Sequence, residues 1–245
     1  MPATYKKYHD QYQRFQSRPT DVWIASYPKA GTTWTQEMVW CLLFTLQSPR
    51  LTELLPARSP FFEWDSLFPD WHSMEHLPDG DVNKKGPRNI KTHVHWALLP
   101  PSVHASNAKI VYMCRDPRDL CVSYYYHHIK LEGYTGDFNT FVKIFLADAR
   151  LARDSAPTYW SGHKSNLQCD CFISFSSMST NPATNNEVLA AGAINPTMAG
   201  QVKFMRQGKV DDHASHLSAQ QLQQFKKWTE EALKDSDFPY YRNYE

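Results

Sequence analysis

The apolar positions of the chain change period several times, and each change marks an element. Val22 to Ser26 (VWIAS) is a continuous β-prone run that stops just before Pro28 and Gly31, which predicts a buried strand entering a tight loop. In the following TTWTQEMVWCLLFTL, Met38, Val39, Leu42, Leu43 and Leu46 recur at helical spacing, with Thr32 or Thr33 near the amino end as caps. The same order returns in AKIVYMCRDPRDLCVSYYYHHIKL. There Lys109 to Cys114 reads as a buried strand, Asp116 and Pro117 supply helix-start chemistry, and Leu120, Tyr124, His127 and Leu131 share one helical face. RNIKTHVHWALLP predicts a third strand ending near His93, then a short helix or turn closed by Pro100 and Pro101. Strands that alternate with helices predict an α/β domain, a mostly parallel sheet with helices on both faces.

Two further stretches complete the pattern. Leu51 to Pro87 is rich in Pro, Trp and Phe without a sustained period, as expected of a long functional cover. SAQQLQQFKKWTEEAL opens on a Ser218 to Gln221 capping box and carries Leu222, Phe225, Ala232 and Leu233 on an apolar face.

Composition narrows the function classes. With 245 residues, 42% of them hydrophobic and 14% aromatic, the chain can bury a substantial core, and one domain over residues 1–245 is expected. Lys and Arg total 26 against 25 Asp and Glu, so net charge gives no reason to expect nucleic-acid binding or a polybasic membrane anchor. The first residues carry no apolar core of signal-peptide length, and no later run reaches a membrane span, so a cytoplasmic protein without a membrane partner is expected. Of the five cysteines, Cys41, Cys114 and Cys121 lie in apolar segments as small core residues. Cys169 and Cys171 lack the paired spacing of a zinc site, so no metal is expected.

The candidate chemistry begins at YPKAGTTWTQEMVW. Amides of a loop entering a helix converge on one centre, and the helix dipole adds positive potential there. Gly31 lets an anion approach the backbone, Thr32 and Thr33 add hydroxyl donors, and Lys29 adds a mobile charge. Lys29 precedes the glycine and there is no GK[ST], which disfavours nucleoside triphosphate hydrolysis and with it a nucleotide kinase. Alone, this KxGTT reads equally well as a plain strand-to-helix turn.

Four motifs together say more. YPKAGTTW, KTHVHWALLP, CRDPRDLCVSYYYH and FMRQGKV occur in the order and approximate spacing found in the cytosolic sulfotransferases, which use 3′-phosphoadenosine 5′-phosphosulfate (PAPS). The chain resembles that family over most of Phe15 to Pro157 and again over Ile173 to Pro239. The resemblance implies a P-loop-like fold. It also implies that Lys29, Ala30, Gly31, Thr32 and Thr33 hold the 5′-phosphosulfate side of the donor, Ala30 standing where a serine is common, with Trp34 against the adenine. Arg115 and Ser123 match the pair that binds the 3′-phosphate, joined by Arg206 and Gly208. Gln207 stands there in place of a usual lysine, a missing charge worth about 1 kcal/mol of donor binding. His93 matches the catalytic base. Lys91 should project to the same side two residues earlier and, with Lys29 and Ser123, serve the transferring group. The implied acceptor is a small hydroxylated or amine compound under aromatic cover, with Phe61, Phe62, Trp64, Phe68, Trp71, Trp96 and Tyr125 as candidate lining.

The chain also departs from the resemblance. After APTYWSGHKSN it runs almost directly into LQCDCFISFSSMSTNPATNN, so a central strand with a YED-like end and the helix after it are expected to be missing near residues 160–172. Ile173 replaces a nucleotide-binding threonine, and KVDDHASHLS keeps little of the usual Gly-Asp-Trp-Lys run. Two functional readings follow: a PAPS-dependent sulfotransferase, or a truncated, non-catalytic relative that binds PAP, PAPS or a partner without turnover. A homodimer is left open.

Overall fold

The computed structural model describes residues 4–67, 86–147 and 210–234. Three parallel strands, β1 (Val22–Ser26), β2 (Asn89–Thr92) and β3 (Lys109–Met113), form a sheet in the order β2-β1-β3. β1 lies in the middle, with Val22 opposite both Asn89 and Lys109. The strand positions agree with the apolar runs, except that β3 stops one residue short and leaves Cys114 exposed rather than in the core. Cys121 is buried as expected.

Alternation along β1 decides what packs where. Trp23 and Ala25 face one side and join Tyr5, Tyr12 and Phe15 from helix α1 (Tyr5–Gln13) and the residues after it. Val22 and Ile24 face the other side and meet Val39 of helix α2 (Thr32–Phe44). Helices therefore cover both faces, as parallel strands require. Short helices α3 (Leu55–Arg58), α4 (Trp64–Leu67) and α5 (Pro101–Ala105) precede and follow β2. Two longer ones, α6 (Pro117–Leu131) and α7 (Phe138–Ala147), build a separate apolar cluster with α8 (Ala219–Leu233) around Leu120, Cys121, Phe141, Phe145 and Phe225. The α8 capping box is present in both directions, Ser218 to Gln221 and back.

Helix α2 departs from its apolar pattern. Leu42 and Leu46, expected on the buried side, are 65% and 68% exposed, while Thr35, Gln36 and Glu37 are buried. Partners explain the inversion. Arg58 holds the Glu37 carboxylate with two hydrogen bonds of 2.8 and 2.7 Å, and Gln36 donates to Ser59 and accepts at its carbonyl from Asn89. A buried charge survives in this way only when fully paired. The stretch from Leu51 is likewise not simply a cover. Phe62 is fully buried against Tyr12, Phe15 and Trp23, so it belongs to the core rather than to an acceptor lining. Tyr125 packs on Phe138 and Phe141, and Trp96 on His104. Phe68 and Trp71 lie outside the described residues, as do Cys169, Cys171, Ile173 and the expected gap.

Candidate functional site

The loop between β1 and α2 is shaped by its backbone. The Ala30 N–H donates to the Tyr27 carbonyl at 3.2 Å, while Lys29 and Gly31 stand at φ 68° and 116°. Left-handed backbone costs a residue with a Cβ roughly 1–2 kcal/mol, and such strain collects at functional loops. A Cβ on Gly31 would meet only Met113 Cε at 3.6 Å, so the position needs glycine for its dihedral and not for space. Gly31 itself caps α2, with no side-chain cap from Thr32 or Thr33. The amides of Trp34 and Thr35 turn back to the Gly31 carbonyl at 3.1 and 3.2 Å. Those of Thr32 and Thr33 make no hydrogen bond among the described residues. Open amides at the start of a helix make a ready anion site. The Thr32 hydroxyl turns inward, 2.5 Å from that of Ser26, and the Ala30 side chain is buried.

Arg115 reaches this loop from the end of β3. Its guanidinium donates to the Lys29 carbonyl at 3.3 Å, joining the two segments that the family resemblance would give to the two ends of the donor. Just beyond, Asp116 caps α6 by accepting the Arg118 N–H at 2.8 Å, and Pro117 occupies the first helical position. Against the opposing effect of burial, the hydrogen bonds from Arg118 hold the Asp116 carboxyl below its ordinary value. Ser123 is half-buried on the second turn of α6. Arg206, Gln207 and Gly208 lie outside the described residues. Asp119 of α6 accepts from the backbone amides of Asp211 and His213 and lies 2.8 Å from His213 Nδ1.

At the end of β2, Lys91 and His93 converge on one ring. Lys91 Nζ sits 4.1 Å from the centroid of Phe61, and the His93 imidazole meets that ring edge-on at 5.1 Å. The alternation expected of an extended strand has put both on one side. Phe61 is placed by backbone pairing, since residues 60–62 run along β2 with Lys91 N–H to Pro60 and Phe62 N–H to Lys91, at 2.9 and 2.8 Å. His93 Nδ1 lies 2.8 Å from the Ser26 carbonyl, which can only accept, so the ring proton sits on Nδ1 and Nε2 keeps its lone pair. Burial and then the neighbouring Lys91 push the imidazole down to about 3, so it is neutral.

Sequence reasoning missed Glu63. Its buried carboxylate accepts the His93 N–H at 2.5 Å and the Thr92 hydroxyl at 2.9 Å, fixing the strand end that carries the imidazole. Burial pushes this carboxyl up to about 7. The only signal was a lone acid inside the apolar SPFFEW, where a carboxylate needs a specific partner.

The chain matches the sulfotransferase domain family over residues 19–167 and 161–237, most of its length. It belongs to the sulfotransferase family. The sulfotransferase chain is 29% identical to luciferin sulfotransferase of Photinus pyralis over 97% of its own length and 78% of that protein. It is 28% identical to human sulfotransferase 1E1, over 96% and 91%. Both alignments, 293 and 282 positions, exceed the 245 residues available, so these relatives carry segments that this member lacks. The two family-matched stretches meet at residues 161–167, where the loss is expected. In fold the sulfotransferase chain resembles retinol dehydratase in complex with retinol and PAP, with a TM-score of 0.72, 22% identity and coverage of 96% and 87%. Among the described residues no helix is long and apolar enough to cross a membrane.

Proposed function

We propose that the chain transfers a sulfuryl group from PAPS to a hydroxyl or amine of a small acceptor, with His93 as the base. The observation that supports this reading best is the convergence of Lys91 and His93 on Phe61, beside the β1 loop that holds Lys29. The open amides of Thr32 and Thr33 and the left-handed turn at Gly31 fit a phosphate-like group. Lys29, Ala30, Gly31, Thr32 and Thr33 would hold the 5′ side of the donor, Arg115 and Ser123 its 3′-phosphate, and Trp34 its adenine. PAPS, when bound, supplies a sulfuryl group on a phosphate leaving group.

The chain's own residues do the rest. Ser26 fixes the His93 proton on Nδ1 and leaves Nε2 to take the proton of an acceptor hydroxyl. Lys29 and Lys91 supply positive charge where negative charge develops, so positioning and electrostatics carry most of the rate. Glu63 holds the His93 backbone in place while this happens.

Transfer of radiolabelled sulfate from PAPS to a panel of phenols, alcohols and amines tests the reading, with PAP binding measured separately. Turnover of at least one acceptor above the enzyme-free rate is expected. Tight PAP binding by folded protein without transfer would sink it in favour of a non-catalytic binder, a second reading that draws on the residues missing relative to the aligned proteins.

A further inference from the structure

The last position of β1 is polar on a face of the strand that is otherwise apolar. Alternation sends Val22, Ile24 and Ser26 to the side of α2, and the first two meet Val39 there. Ser26 is only 4% exposed, so its hydroxyl must find partners inside the protein. It has two, from different elements. Its Oγ lies 2.5 Å from the hydroxyl of Thr32, the first residue of α2, and 3.3 Å from Nδ1 of His93, just after β2.

The proton order along these groups follows from the Ser26 carbonyl. That oxygen lies 2.8 Å from Nδ1 and can only accept, so the ring nitrogen donates, and the Ser26 hydroxyl takes the same proton as the longer arm of a shared bond. The Ser26 O–H is then left to donate to Thr32. Thr32 is buried too, and among the described residues Ser26 is the one hydrogen-bond partner of its hydroxyl. The backbone N–H of Thr32 is one of the open amides at the Gly31 turn. One serine side chain thus spans the anion cradle and the imidazole, and hydrogen bonds in such a buried chain strengthen one another.

We infer that Ser26 is a positioning residue whose hydroxyl couples the donor to the base. An anion held on the Thr32 amide fixes Thr32, and Ser26 passes that constraint to His93 by holding Nδ1, so that Nε2 is set for the acceptor when the donor is in place. The inference rests on the sulfotransferase reading for the identity of the anion and for the role of His93.

The test reads the imidazole directly and needs no turnover. The full chain, with histidine isotope-labelled at its ring nitrogens, is titrated with PAP to saturation and followed by NMR. The His93 resonances are assigned by their loss in His93→Ala, and the wild type is compared with Ser26→Ala, Thr32→Val and Ser26→Thr. In the wild type the Nδ1 resonance should shift as PAP binds. Ser26→Ala and Thr32→Val cut the bridge at its two ends, so both should bind PAP about three- to tenfold more weakly and lose the Nδ1 shift at saturation. Ser26→Thr restores a hydroxyl on a side chain suited to a strand and should keep the shift. If one of the cut variants does not fold, the wild type, the other cut variant and Ser26→Thr decide. A His93 resonance that ignores PAP in the wild type, a shift kept in full by either cut variant, or a shift lost equally in Ser26→Thr overturns the inference and leaves the donor reading standing. Failure of the wild type to bind PAP overturns both.

Discussion

Glu63 and His93 are joined by a hydrogen bond from the His93 backbone N–H to a buried carboxylate whose other oxygen holds Thr92. The bond ties the aromatic segment before β2 to the strand end that carries the His93 imidazole, so its strength matters to both stability and geometry. Burial raises the Glu63 carboxyl from 4.5 to about 7. An acid raised on folding favours the fold below its unfolded value and loses that contribution as pH rises through the folded one. Glu63→Gln removes the titration, so its stability relative to the wild type should improve from pH 4.5 to about 7 and level off above that in urea denaturation. A difference between the two proteins that stays constant over this range would contradict the linkage.

His93→Ala should lose most turnover while PAP affinity shifts by less than about threefold, since the Gly31 turn and its Arg115 contact are made without the imidazole. Burial and Lys91 hold His93 at about 3 in the free protein. The acid limb of kcat/KM, which reports the free enzyme, should therefore lie below pH 6. The same depression means that stability contributed by neutral His93 is present above 6.5 and declines as pH falls towards 3. An inflection of kcat/KM near pH 7 that disappears in no His93 variant would assign the base elsewhere.

Gly31→Ala should weaken PAP binding and cost about 1–2 kcal/mol of stability, because a left-handed backbone is imposed on a residue with a Cβ. The Cβ itself finds ordinary room beside Met113. Chemical denaturation and PAP titration of the same sample check both effects, and full affinity in the variant would show that the loop does not need this turn.

Arg58→Ala strands the Glu37 carboxylate inside the protein. Breaking a buried pair by removing one partner costs about 3–5 kcal/mol, enough to lower expression and the urea midpoint markedly. The double replacement Arg58→Met with Glu37→Leu should be far less harmful, and equal damage from the two would assign the loss to packing rather than charge.

β1 and β3 were legible because each is an apolar run stopped by Pro, Gly or a helix cap, and the starts of α6 and α8 because Asp116 and Ser218 sit where a cap must be. The buried face of α2 was not legible. Its interior positions Gln36 and Glu37 look like a solvated surface until Arg58 and Ser59, from a stretch with no period, are folded against them. Lys29, Lys91 and His93 could be picked out by motif. Glu63 depends on which distant residues surround it, and hydrophobic periodicity carries no record of that.

Both strands that flank β1 lie far from it along the chain, for β2 begins at Asn89 and β3 at Lys109. Pairing across such separations closes long loops before any contact rewards it, so this sheet belongs among the slower topologies to fold. The left-handed turn after β1 is synthesised early but is braced by Arg115, which follows β3. Emergence of residue 115 is thus the earliest point in synthesis at which this brace can form, and any slowing of sheet closure delays the braced turn by the same time.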